Sequence, residues 1–158
     1  RSEVGTVASI VEAVPFDDGR WALATGGTRR IRVTEWLDDD PYPRAEVEEW
    51  PEPEATDVEA TRAAVEAVTA KVRRLLALQA ELGAAAAPAT IELADEPAVA
   101  LHQVAAVSGL GPLDAQQVLA ADTIEERVLL VDRFVEEALD TAAAALRMSD
   151  AGDDPGEP

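Results

Sequence analysis

Between residues 19 and 50 polar and apolar side chains alternate, in short runs separated by turn residues. Alternation with a period of two marks a half-buried strand, because successive side chains point to opposite faces. Residues 21–24 read as one strand and residues 30–36 as another, with Gly26-Gly27 as a tight turn between them. A Gly-Gly dipeptide between alternating runs is a hairpin signal, since a type I′ turn needs positive φ at both central positions. Asp38-Asp39-Asp40-Pro41-Tyr42-Pro43 breaks the second run, and alternation resumes over residues 44–50. Ahead of this stretch, residues 4–14 are apolar on both sides, and Asp18-Gly19 supplies a turn. The expectation is a four-strand antiparallel meander.

The period then changes. Residues 51–57, PEPEATD, form a linker with two prolines, followed by Thr56-Asp57-Val58-Glu59, a capping box with Thr56 at the cap. Val58, Thr61, Val65, Val68, Val72, Leu75 and Leu82 recur at steps of three and four, which predicts a helix to about Leu82 that stops near Gly83. Its apolar stripe is expected to pack within its own domain. Residues 83–96 read as an Ala-rich loop with an extended piece at 89–93. A helix follows, capped by Asp95 with Pro97 in its first turn. A short helix over 113–121 comes next. The last helix opens on the box Thr123-Ile124-Glu125-Glu126 and buries Ile124, Val128, Val131, Val135, Ala138, Ala142 and Leu146. Residues 149–158 are acidic, carry Pro and Gly, and are expected to be disordered. The fold class is α+β, organised as a β meander over 1–52, a helical subdomain over 56–148 and a tail over 149–158.

Two sets of residues carry a family resemblance. The first is Val4-Gly5-Thr6-Val7-Ala8-Ser9-Ile10, Asp18-Gly19, Gly27-Thr28-Arg29-Arg30-Ile31-Arg32-Val33 and Pro41-Tyr42-Pro43-Arg44-Ala45-Glu46-Val47. The second is Asp95-Glu96-Pro97, the run over 101–106, Gln117-Val118-Leu119 and Asp122 through Val128 with Glu126-Arg127. In this order the chain resembles the N-terminal substrate-binding domain of Lon proteases over nearly its whole ordered length. The resemblance implies an antiparallel PUA-like β subdomain followed by an α-helical bundle. It also implies recognition of unfolded or exposed protein segments, in partnership or competition with a protease. Family members carry further strands and a helix ahead of the first strand here, so the β subdomain is expected to be truncated at its front. If Arg1 is the true start, one sheet edge is unpaired and prone to add a strand from another chain. The last helix of family members continues toward an ATPase, whereas here the acidic tail follows.

Composition narrows the function. The net charge is −19. Nucleic acid binding draws on Lys and Arg that displace counterions, so nucleic acid is not an expected partner, and anionic membrane surfaces are disfavoured for the same reason. No apolar run reaches the ~18 residues of a membrane span. With no cysteine there is no disulfide and no thiolate metal site. These features fit a cytoplasmic protein, and the single lysine, Lys71, beside many arginines fits GC-rich bacterial coding.

No catalytic constellation emerges. No Gly-x-x-x-x-Gly-Lys-Ser/Thr loop is present, and Lys71 sits mid-helix with no serine near it in sequence, so neither a nucleotide cradle nor a Ser-Lys dyad is encoded. His102 stands alone on a helix, and without cysteine or a second histidine no zinc site forms. Asp38-Asp39-Asp40 offers oxygen donors but lacks the spacing of a calcium loop, and reads as a solvated hairpin tip. No metal and no cofactor is expected. The candidate peptide-binding residues are Trp36, Tyr42 and Trp50 with Arg30 and Arg32. By strict alternation Trp36 and Trp50 share one face with Arg30, Arg32, Glu46 and Glu48, opposite Val33 and Val47. A large aromatic among charges has the makings of a binding anchor. The chain is therefore read as a non-catalytic protein-binding module, a proteolysis adaptor or regulator. Two other classes compete: a hydrolase using acidic residues or a divalent metal, which a metal titration tests, and a structural oligomerisation module, which sedimentation tests.

Overall fold

The structure is a computed structural model that describes residues 1–84 and 87–152. The chain is α+β: a three-stranded antiparallel sheet followed by helices. It divides into two compact units, the first Arg1–Glu52 and the second from Pro53 onward.

The first unit holds β1 (Val4–Pro15), β2 (Trp21–Leu37) and β3 (Arg44–Glu49), in the spatial order β1-β2-β3. The four-strand expectation is corrected here, because residues 21–24 and 30–36 belong to one long strand. Gly26 and Gly27 are not a turn: they pair with Ser9 and Ala8, and neither has positive φ. A bare backbone at Gly27 has another use. A Cβ built there meets Thr6 Cγ2 at 3.1 Å, so the glycine lets the Thr6 side chain cross the strand. The real turn before β2 spans 16–20. There the Phe16 N–H donates to the Arg20 carbonyl at 2.8 Å, and Gly19 supplies φ +85°.

The sheet is interrupted by three bulges, each inserting one residue on one strand. Val7 pairs with Arg29 and Ala8 with Gly27, which leaves Thr28 extra; its hydroxyl donates to the Val7 carbonyl at 3.0 Å. Ile10 pairs with Thr25 and Glu12 with Ala24, which leaves Val11 extra. Val33 pairs with Val47 and Glu35 with Glu46, which leaves Thr34 extra.

The second unit holds α1 (Val58–Glu81), α2 (Pro97–Val107), α3 (Pro112–Ala120) and α4 (Ile124–Gly152). Its core joins Val65, Val68, Val72 and Leu76 of α1 to Val128, Val131, Phe134 and Val135 of α4, with Leu101 and Val104 of α2 and Val118 of α3. The predicted stripe of α1 holds at its centre and fails at its ends, where Val58 and Leu82 are exposed, while that of α4 is buried from its first member, Ile124. Caps shift by one residue from the sequence reading. Asp57, not Thr56, caps α1, its Oδ1 accepting from the Ala60 N–H at 3.0 Å. Glu96, not Asp95, caps α2 by accepting from the Ala98 and Val99 N–H groups. At α4 the Thr123 half of the box forms, the Glu126 N–H donating to Thr123 Oγ1 at 3.1 Å, while Glu126 Oε2 accepts from the Asp122 N–H, one residue ahead of the cap, also at 3.1 Å. Residues 91–94 adopt no regular secondary structure. α4 runs to Gly152, so Ser149 lies in the helix rather than in a tail, and residues 153–158 lie outside the described residues.

Arg127 is fully buried, and it is the largest such side chain among the described residues. Its position follows from helix geometry. It stands three residues after Ile124 and four before Val131, on the face that packs inward. Lys71 of α1 reaches across to α4, donating to Asp132 Oδ1 at 2.7 Å and Glu136 Oε2 at 2.6 Å.

Candidate functional site

The five candidate residues do not form one cluster. Arg30, Arg32 and Trp50 do come together. Arg32 pairs across the sheet with Glu48, and the Trp50 N–H donates to the Arg30 carbonyl at 3.0 Å, which continues the register by one pair. The Trp50 ring is held between two guanidinium groups, with Arg30 Cζ 4.1 Å and Arg32 Cζ 4.2 Å from its centroid. Arg30 is 3% exposed, and it is the one buried residue among positions 1–52. Its Nη2 donates to the Pro51 carbonyl at 3.0 Å, and its Nε lies 3.1 Å from Glu52 Oε1. Of the three only Arg30 is buried, with Trp50 half-buried and Arg32 exposed, and the contacts of Arg30 with Pro51 and Glu52 fix the chain leaving β3.

Trp36 lies elsewhere, which corrects the expectation that it shares the arginine face. The extra residue Thr34 turns the strand over. Trp36 stands opposite Ala45, on the face of Val33 and Val47. Its ring takes Arg1 Cζ at 4.9 Å, and Arg1 in turn pairs with Asp39 at 2.6 Å. Trp36 is 39% exposed. Tyr42 sits in the loop between β2 and β3, 66% exposed, and its carbonyl accepts from the Asp40 N–H at 3.1 Å.

The largest uncovered hydrocarbon in the sheet unit was not singled out by the sequence reading. Ile10 and Val11 of β1 and Trp21 and Leu23 of β2 are each more than half exposed, and Phe16 at the turn is half exposed. Register places Ala13 opposite Leu23 and Pro15 opposite Trp21, so the far half of this hairpin is an apolar ribbon with Glu12 as its charged member. A signal was available: residues 4–11 carry no charge in a chain of net charge −19. Exposed apolar area of this kind marks interaction surfaces.

Two of the clefts in the helical unit are lined by described residues. One, of about 530 Å³, lies between α1 and residues 93–100, with Val65, Thr69 and Pro97 on its walls and Arg62 and Arg73 along its rim. The other, of about 420 Å³, is lined by Leu110, Phe134 and Ala142. Lys71 and Glu125, whose pKa values are displaced, line neither. Lys71 is raised above its ordinary 10.5 by hydrogen bonds to Asp132 and then Glu136. Glu125 is lowered from 4.5, chiefly by the Thr56 backbone N–H that donates to it at 2.9 Å. Among the described residues no group of three or more His, Asp or Glu is arranged to hold a metal ion, and no helix is long and apolar enough to cross a membrane.

Comparison with known proteins agrees with this architecture. The family model described as the ATP-dependent protease La (LON) substrate-binding domain matches residues 1–137. A Lon protease of Phenylobacterium zucineum is 30% identical over 141 residues, which cover 87% of this chain and 17% of that protein. A Lon protease of Desulfovibrio desulfuricans is 28% identical over 149 residues, covering 92% of this chain and 16% of that protein. The chain thus spans about a sixth of the length of these relatives. Among solved structures, the N terminal domain of Mycobacterium avium complex Lon protease superposes with a TM-score of 0.61 at 21% identity, covering 85% of this chain and 70% of that one. At that identity the likeness speaks for the fold.

Proposed function

Because the chain belongs to the substrate-binding domain family of ATP-dependent protease La, Lon, we propose that it binds unfolded or exposed polypeptide segments and performs no chemistry on them. The observation that carries this reading is the uncovered hydrocarbon of the sheet unit, at Ile10, Val11, Trp21 and Leu23. A folded, satisfied protein surface offers such an area little, whereas an unfolded chain has apolar side chains with nowhere to go. Trp36 and Tyr42 add exposed rings that lose little rotamer freedom on contact. Buried Arg30 and half-buried Trp50 support the sheet, and Arg32, stacked on the same ring, is exposed to meet a client carboxylate.

The family context makes proteolysis the setting. The chain acts there as an adaptor that delivers clients to a protease, or as a regulator that withholds them. These 158 residues encode neither a nucleotide loop nor a Ser-Lys dyad, so ATP hydrolysis and peptide cleavage are not assigned to them.

The test is binding of one client in two states. Reduced, carboxymethylated α-lactalbumin is titrated with the chain and followed by fluorescence anisotropy, beside the native calcium-bound protein. The expected result is saturable binding of the unfolded form only. Equal affinity for both forms, or for neither, overturns the proposal. Adding the chain to casein digestion by a Lon protease then separates delivery, which speeds cleavage, from withholding, which slows it.

A further inference from the structure

The core of the helical unit is filled unevenly along its length. Val65, Val68, Val72 and Leu76 of α1 share one core with Val128, Val131, Phe134 and Val135 of α4. Beyond them the inward positions shrink or turn polar. On α4 they become Ala138, Ala142 and Ala145, and on α1 the stripe continues as Gln79 and Leu82. Hydrocarbon withdraws from between the two helices, and the space left is the cleft of about 420 Å³, whose remaining wall is the turn over residues 108–111. That volume falls in the range of about 300–1,000 Å³ common to ligand sites.

Gln79 distinguishes this space from a packing fault. A carboxamide at an inward position is ordinarily hydrogen-bonded. Gln79 is half-buried and lines the cleft, and its side-chain amide has no hydrogen-bond partner among the described residues. A Cβ built on Gly109 lies 3.9 Å from Gln79 Nε2, so the turn meets the amide with bare backbone. The amide offers an acceptor oxygen and two donor hydrogens to whatever enters. A peptide group, with one N–H and one C=O, is its natural complement.

Charge narrows the occupant. Among the described residues the charged lining of the cleft is Asp114, in the first turn of α3, and Glu137 of α4, both acidic. Arg133 stands 4.0 Å from Glu137 with both side chains more than half exposed, a pairing of little strength. With a net charge of −19 behind it, this rim repels an acidic segment and attracts a basic one over the Debye length.

We propose that this cleft is a second client site, which takes a short extended segment with large apolar side chains next to Lys or Arg. The proposal shares with the client-binding reading above the nature of the ligand and rests on a different surface. The apolar side chains enter between Leu82, Leu110 and Phe134, where burial supplies the affinity. The Gln79 amide pairs with the main chain of the segment, and Asp114 and Glu137 receive the flanking cations. In a folded protein the large apolar side chain is buried and the cation beside it is in water. Both are offered to one cleft only when the chain that carries them is unfolded.

Three labelled hexapeptides test this with the full chain. The first has a leucine–phenylalanine pair between lysines, the second the same pair between glutamates, and the third the lysines with two serines in place of the pair. Anisotropy at low salt is expected to give the first about tenfold tighter binding than the second, a gap that narrows as salt is raised. The serine peptide is expected to bind at least ~10-fold more weakly than the first. The double variant Asp114→Asn, Glu137→Gln is expected to bring the first two peptides level. Gln79→Leu restores an apolar inward position, so it is expected to raise the urea midpoint read at 222 nm while weakening the first peptide about fivefold. Ala145→Phe, at an exposed helix position, is expected to close the mouth and abolish binding with the midpoint little changed. Methyl resonances of Leu82, Leu110 and Ala142 are expected to shift on titration, with those of Ile10 and Val11 unmoved. Shifts confined to Ile10 and Val11 overturn the cleft and leave the sheet reading standing. Equal affinity for the lysine and glutamate peptides, or unchanged affinity in Gln79→Leu or Ala145→Phe, overturns the cleft as well. Failure of all three peptides while unfolded α-lactalbumin binds overturns the cleft alone, and failure of the unfolded protein too overturns both readings. A dimer in sedimentation that excludes the peptide gives the cleft to a second copy and overturns this proposal.

Discussion

Trp50 and Trp36 are predicted to respond to truncation by very different amounts, although one lies on β2 and the other directly follows the neighbouring β3. Trp50→Ala removes a ring held at 4.1 and 4.2 Å by Arg30 and Arg32. Arg30 is desolvated, so its cation–π contact is worth up to ~2 kcal/mol, and the contact of exposed Arg32 about 0.5–1. Loss of the ring's own apolar contact adds about 1 kcal/mol. The sum is roughly 3–4 kcal/mol, a large share of what so small a sheet can hold. Trp36→Ala loses one contact, with Arg1 at 4.9 Å, and the Arg1 side chain is 44% exposed. Its effect should stay near ~0.5 kcal/mol. The assay is provided by the sequence, because all three tryptophans, Trp21, Trp36 and Trp50, lie in the sheet unit and none in the helical one. Tryptophan emission in urea therefore reports the sheet, and ellipticity at 222 nm is dominated by the helices. With a slope of ~1 kcal/mol/M, Trp50→Ala should move the emission midpoint down by about 3 M or abolish the transition altogether, with the helical signal unchanged. Trp36→Ala should move it by about 0.5 M or less. Equal shifts for the two variants would refute the claim that the arginine-held ring contributes more to the sheet than Trp36 does.

Three further outcomes follow from local geometry. Gly27→Val drives a Cβ to 3.1 Å from Thr6 Cγ2 and should destabilise the sheet by about 1–3 kcal/mol, most of it recovered in the Thr6→Ala background if crowding is the cause. Lys71→Met should lower helical-unit stability at pH 7 by ~1 kcal/mol or less, since Asp132 and Glu136 are themselves partly exposed. The lysine's folded pKa is raised, so its contribution is complete below about pH 10.5 and lost as pH climbs through the higher folded value. Urea midpoints of the two proteins should converge in that alkaline range and stay apart below it. Glu125→Gln should speed hydrogen exchange at the Thr56 amide above pH 4.5. Glu125's folded pKa is lowered, so the wild-type hold exists above the unfolded value and fades as pH falls through the folded one. An unchanged Thr56 exchange rate would show that the carboxylate does not restrain it.

The change from period two to steps of three and four located the switch from sheet to helices without help from the structure. It worked because each period reflects how one kind of backbone presents side chains. That Val33 and Val47 share a face, and that the centre of each helical stripe is buried, was legible for the same reason. Bulges were not. An inserted residue needs no special amino acid, and Thr28, Val11 and Thr34 look like ordinary strand residues. Missing Thr34 put Trp36 on the wrong face. Reading Gly26-Gly27 as a turn cut β2 in two, although an eleven-residue run ahead of it needed a longer partner than residues 21–24. Arg127 was hidden by its chemistry, since a charged residue within an apolar stripe is ordinarily assigned to the helix surface.

The bulges also say where this sheet can change length. Along a regular strand, gaining or losing one residue turns every later side chain over, exchanging inward and outward faces as far as the next turn. At Val11, Thr28 and Thr34 the extra residue has already absorbed that inversion. Deleting any one of them leaves each neighbour on the face it now occupies and removes only the local twist. Single-residue gaps between this chain and its relatives should therefore gather at positions 11, 28 and 34, and a deletion variant lacking Thr28 should still fold where one lacking Ile31 does not.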